Sequence, residues 1–193
     1  MPKRTVKPYR YEAEMERKPL SPTLERRLRK LALDGAPAKI AGWHNAASEI
    51  DRFYAAPSAS MAAHLLGERD LARQLAKEAI ALAQTNRESW NYGNAIHYGH
   101  TVLGLIGLQD NQLEQAIAEL RESGETPGSP QLKSFGPTMH LAKELLRRGE
   151  VEAVLQYFQQ CRRFWQMGPE WLSIWEKKVG RGAIPNFFGH LYR

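Results

Sequence analysis

Between Trp90 and Gly124 two apolar stripes stand on either side of a four-residue polar break. This pairing constrains the rest of the chain more than any other feature. In the first half Tyr92, Ala95, Ile96, Gly99, Leu103 and Ile106 recur at three- and four-residue steps. In the second half Leu113, Ala116, Ile117 and Leu120 do the same. That period puts residues on one face of a helix and would scatter them over both faces of a strand. The break, Gln109-Asp110-Asn111-Gln112, has room only for a tight reversal. The stretch therefore predicts an αα-hairpin, and Gly99, Gly104 and Ala116 let its two backbones approach closely.

The same reading extends along the chain. Residues 1–20 contain Pro2, Pro8 and Pro19 and no sustained apolar period, which predicts a basic arm, extended or disordered. Ser21-Pro22 has the form of an N-cap followed by proline in the first helical position. Leu24, Leu28 and Leu31 make a helical stripe that Asp34-Gly35 is expected to end. A second helix is expected to reach about Ala56, with Ile40, Trp43, Ala47, Ile50 and Tyr54 on one face and Pro57 as its stop. The span Gly124–Thr138 holds three glycines and three prolines and reads as a helix-free loop. Gly168-Pro169 opens a last helix over 169–179 that carries Trp171, Leu172, Trp175 and Val179, with Gly180 after it. The segment 183–193 is apolar without a helical period. It is expected to dock on the last helices as a latch that buries Phe187 and Phe188. No run alternates as a strand would.

At Leu103-Gly104, Ala116 and Leu120 the central hairpin resembles a tetratricopeptide repeat, although His100 and Gly107 stand where that motif places an aromatic residue. Met139–Cys161 resembles a further copy. There Leu141-Ala142 occupy the Leu-Gly position, Gly149 the turn, and Val154, Phe158 and Cys161 the second-helix positions. Met61–Ala83, with Gly67 at the turn and Ala72, Ala76 and Ala79 beyond it, resembles a third. The equivalent positions Ala72, Ala116 and Val154 are 44 and 38 residues apart, against a regular spacing of about 34. The resemblance spans roughly residues 57–165. It implies an all-α fold of antiparallel helix hairpins, stacked as a short right-handed array with flanking helices, within a single domain over 21–193. The stretch from Gly136 to Phe188 also resembles a group of small bacterial proteins of unassigned activity.

Length and composition bound the function classes. A chain of 193 residues is long enough for one domain with a core, and 42% hydrophobic with 25% charged residues is ordinary for a globular protein. No stretch approaches the roughly 20 apolar residues of a membrane span, and the basic N-terminus lacks the apolar run of a secretory signal. With one cysteine no internal disulfide forms, so the expected compartment is the reducing cytoplasm. The net charge is +6. Residues 1–30 hold ten Lys/Arg against four Glu, and the remainder holds 17 of each sign, so the whole excess lies at the N-terminal end.

Motifs that would carry chemistry are missing. His97 and His100 share a helix face, and His140 falls on the first helix of the next hairpin. A zinc site needs three or four converging ligands, and no HExxH accompanies them. There is no nucleophile elbow and no phosphate-cradling glycine loop. Cys161 shares an apolar stripe with Val154 and Phe158, the setting of a buried structural thiol. Glu150 and Glu152 follow Gly149 at a helix start, where negative charge is favoured. The five tryptophans read chiefly as core. The chain is therefore expected to be no enzyme, with no cofactor and no metal.

Two partner classes follow. The tetratricopeptide resemblance implies a protein- or peptide-binding module whose first helices line a concave groove. Its candidate residues are Trp90, Asn94, His97 and Thr101 on the central hairpin, with Met139 and Lys143 on the next. The alternative is a nucleic-acid-associated protein that grips phosphate weakly and non-specifically through Lys3, Arg4, Lys7 and Arg10, beside Tyr9 and Tyr11. No membrane partner is expected, and a homo-oligomer is compatible with these features.

Overall fold

The structure is a computed structural model that describes residues 21–192. The arm residues Lys3, Arg4, Lys7 and Arg10 lie outside the described residues. Helices make up 75% of the described chain, and no strand occurs among the described residues. The fold is an all-α stack of helices packed in consecutive pairs. The helices are α1 (Pro22–His44), α2 (Glu49–Leu66), α3 (Arg69–Thr85), α4 (Tyr92–Gln109), α5 (Leu113–Gly124), α6 (Pro130–Phe135), α7 (His140–Leu146), α8 (Val151–Phe164) and α9 (Pro169–Val179), followed by a 3-10 turn at Phe188–His190.

α1 begins as its sequence dictates. The Ser21 hydroxyl accepts the Leu24 N–H at 3.2 Å and Pro22 takes the first helical position, where a missing N–H costs nothing. The helix does not end at Asp34-Gly35, and this corrects the expectation. It runs on through Gly35 and Pro37 to His44, because Ala36, Ile40 and Trp43 have a core to enter. A glycine inside a helix costs about 1 kcal/mol against alanine, less than burying one large apolar side chain returns. The break falls instead at Asn45–Ser48, where Ser48 caps α2 by accepting the Asp51 N–H.

Pro57 does not stop α2 either. It lies inside the helix, which continues to Leu66 and closes on Gly67 in the left-handed region at φ 82°. Pro57 has no N–H to give the Phe53 carbonyl one turn back. Asn91, at the start of the next hairpin, supplies that donor: its Nδ2 bonds the Phe53 oxygen at 2.8 Å. The helix survives its proline because another element satisfies the orphaned acceptor.

α4 is the hub. It packs on α2, α3, α5 and α7, and most of its residues are buried. Its small residues mark the close approaches. A Cβ at Gly93 would stand 2.1 Å from the Gly128 carbonyl oxygen, and one at Gly104 would meet the Leu141 side chain at 2.4 Å. The reversal after α4 uses Asn111 at φ 58°, and Asp110 is held there by Arg69 and Arg73 of α3.

The expected loop from Gly124 to Thr138 contains a helix after all. Ser129 caps α6 by accepting the Leu132 N–H at 3.0 Å, Pro130 again takes the first helical position, and Gly136 ends it at φ 78°. These prolines and glycines set the helix boundaries rather than forbid the helix. Downstream, Trp165, just after α8, and Trp171 and Trp175 of α9 form a ring cluster with Phe158, Phe187 and His190. Phe187 is fully buried, whereas Phe188 is only half-buried. Cys161 is fully buried, and desolvation raises its thiol far above the ordinary value.

Candidate functional site

The polar face of α4 was the expected groove, and the structure assigns its partners within the chain. Asn94 accepts the Ser129 hydroxyl at 2.6 Å through Oδ1 and donates to Asn91 Oδ1 at 2.9 Å. His97 is fully buried, its Nε2 accepting the Thr138 N–H at 3.1 Å while Nδ1 faces the Ser123 carbonyl at 3.3 Å. Thr101 is buried. Met139 is buried, and its N–H donates to the His190 carbonyl at 2.6 Å. Lys143 is 7% exposed and donates to Glu25 of α1 at 2.8 Å. Trp90 alone of these six is exposed, at 49%, and it stacks on Tyr54 with ring centroids 5.2 Å apart.

Asn94, His97 and Met139 are thus brought to one region, but beneath the chain's own segment 126–138 and the tail. The physical reason is that this segment folds back across α4 with backbone donors to satisfy. The Thr126 hydroxyl bonds the Gly93 carbonyl at 3.2 Å, and Thr138 bonds His97 as above. A polar helix face over which a glycine- and proline-rich segment returns becomes an internal seam, because buried backbone groups need partners.

An open groove lies elsewhere, between the second helices of the hairpins. It has a volume of about 590 Å3 and runs between α5 and α8. Ile117, Ala118 and Ala153 supply its apolar surface, with Arg121, Arg163, Glu114, Glu125 and three glutamines around them. Gln160 is oriented by two acceptors: its Nε2 donates to the Arg121 carbonyl at 3.1 Å and to Glu125 at 2.7 Å. Its Oε1 therefore turns the other way, against Gly124, where a Cβ would come within 2.3 Å of it. Arg163 reaches Glu125 at 2.9 Å. Together Arg163 and Gln160 hold the Glu125 carboxyl below the usual carboxylate range.

Sequence reasoning placed Ile117 on the inner stripe of its hairpin and missed this groove. The available signal was Gln156, Gln159 and Gln160 on one turn of a strongly amphipathic helix, opposite Val154, Phe158 and Cys161. No group of three or more His, Cys, Asp or Glu positioned to hold a metal ion occurs among the described residues. No helix of the described residues is long and apolar enough to cross a membrane. Comparison of the chain with protein-family models, curated proteins and solved structures returned no match.

Proposed function

We propose that this protein is a non-enzymatic binding module, and that a peptide segment of a partner protein lies in the α5/α8 groove. The observation that carries this reading is the contrast between two faces. The polar face of α4 is committed to the chain's own backbone, while the α5/α8 groove keeps an apolar floor open beside polar and charged side chains. Such a surface suits a short segment with a small apolar side chain on Ile117, Ala118 and Ala153. An acidic side chain of the same segment fits beside Arg121, whose pair with Glu122 is long at 3.9 Å, whereas Arg163 is already held by Glu125. The amides of Gln156 and Gln159, each donating to one glutamate, keep a further N–H and a carbonyl oxygen with which to hold a peptide backbone.

The test is a selection from a random peptide display library on the intact protein. Recovered peptides are then measured by fluorescence anisotropy against Ile117→Asp and Ala153→Arg, each checked for an unchanged helical spectrum. The expected result is an acidic consensus and about a tenfold or greater loss of affinity in both variants. Peptides that bind the variants as well as the parent chain, or a selection that enriches nothing, overturn the proposal.

A further inference from the structure

A second cleft, of about 720 Å3, shares no lining residue with the α5/α8 groove. Four helices and the tail meet around it: the first turns of α1, the ends of α2 and α4, α7, and Tyr192. Three guanidinium groups line it, those of Arg26, Arg29 and Arg147. The two carboxylates in the lining already have partners. Glu25 takes Lys143 at 2.8 Å, and Glu144 takes Arg147 at 2.5 Å and Arg148 at 3.7 Å. Arg29 makes no hydrogen bond or ion pair among the described residues, and Arg26 has only a long contact of 3.4 Å to Thr23. The cleft is thus left with cationic capacity that its own carboxylates do not meet.

The same cleft is lined by rings. His140 packs edge-on against His64, with centroids 6.0 Å apart, and against Tyr192 at 5.5 Å. His140 Nδ1 is buried and has no hydrogen-bond partner among the described residues. Lys143, Arg147 and Arg29 all press on that imidazole, while Glu25 and Glu144 stand in the same lining. Cations thus stand close to His140, whose own buried Nδ1 is without a partner among the described residues.

We propose that this cleft binds the phosphate monoester of a nucleotide-sized small molecule, with Arg29 and the guanidinium edge of Arg147 that its Glu144 pair leaves over gripping the phosphate, and Tyr192, His64 and His140 beside the remainder. The planar fork of arginine matches phosphate oxygens in pairs. The volume falls in the range of small-molecule sites, which combine a few polar anchors with ring and apolar walls. Leu65, Leu66 and Gly67 at the end of α2 provide the apolar wall. Burial chiefly, and after it the neighbouring His64 and the cations, keep His140 neutral, and a bound dianion would offset the cations.

The experiment uses the full chain, with AMP, adenosine and phosphatidic acid vesicles as probes. Calorimetric titration should detect AMP binding, with adenosine about tenfold weaker or worse. Arg29→Gln and Arg147→Gln should each weaken AMP by about tenfold or more while their melting curves stay near that of the parent chain. The His140 imidazole, followed by nuclear magnetic resonance, should take up its proton at a higher pH with AMP present than without, which a purely structural arginine would not produce. Ile117→Asp should bind AMP as the parent does, keeping this site separate from the peptide groove. Equal binding of AMP and adenosine, AMP binding that survives both arginine substitutions, or no binding at millimolar AMP overturns the proposal. Retention on phosphatidic acid vesicles without any response to AMP overturns the small-molecule ligand in favour of a lipid headgroup.

Discussion

His97 joins three segments of this fold, and its tautomer is dictated by its neighbours. The Thr138 N–H is a donor, so the Nε2 it meets must be the bare acceptor, and the proton sits on Nδ1 toward the Ser123 carbonyl. Burial first, and then His100, lower its pKa from 6.5 to about 4. The unfolded chain takes up this proton at the ordinary value, so unfolding becomes more favourable as pH falls below that value. Stability is complete above about pH 6.5 and is lost progressively down to about pH 4. A shift of that size corresponds to an effect on the order of 3 kcal/mol. Urea midpoints measured from pH 7.5 to pH 4.5 should fall, and the fall should be smaller in His97→Gln, with the remainder contributed by His140 and His64, whose pKa values are also lowered. A midpoint that rises on acidification contradicts the tautomer argument. At this scale the sequence showed a histidine on a helix face, but its partner lies 41 residues away, and only the folded chain brings the two together.

At the scale of the element, most helix starts and turns could be read directly, because caps are local. Ser21 and Gly67 act through bonds or dihedrals within a few residues of themselves; so do Ser129 and Gly136, although the span they bound was expected to be a helix-free loop. The errors came where a local cost was offset from a distance. Pro57 inside α2 is such a case, since its defect is repaired by Asn91, 38 residues from Phe53. Asn91→Ala should destabilise the protein by about 1–3 kcal/mol, because it strands a buried carbonyl. In a Pro57→Ala background the restored N–H bonds that carbonyl, and the cost of Asn91→Ala should shrink. A double-mutant cycle by chemical denaturation checks this. Equal costs in the two backgrounds would mean that Asn91 acts only through its bond to Asn94.

For the whole molecule, the tail closes the stack. Phe187 fills the space between Phe158 and Trp175, and His190 lies against Trp165, Trp171 and Trp175. The His190 carbonyl accepts the Met139 N–H and the Thr138 hydroxyl, which ties the tail to the segment that covers α4. Truncation after Gly182 removes the buried side chains of Phe187 and Leu191 together with these bonds. Each large side chain contributes about 1.5–3 kcal/mol, so the melting temperature should drop by roughly 10–20 °C and the exposed indoles should bind a hydrophobic dye. A truncated chain that melts where the full one does would show that the tail only decorates the surface.

The all-α class, the three hairpins and their turns follow from the sequence by itself, because helical periodicity and caps are written within a few residues of where they act. The burial of Cys161 and of the indoles just after α8 and in α9 follows as well, since an amphipathic stripe names its own inner face. Which polar face stays open was decided only in three dimensions. Asn94 and His97 carry the same side chains whether they line a groove or hold a returning segment. The choice rests on where residues 126–138 and the tail come to lie, and long-range packing alone sets that position.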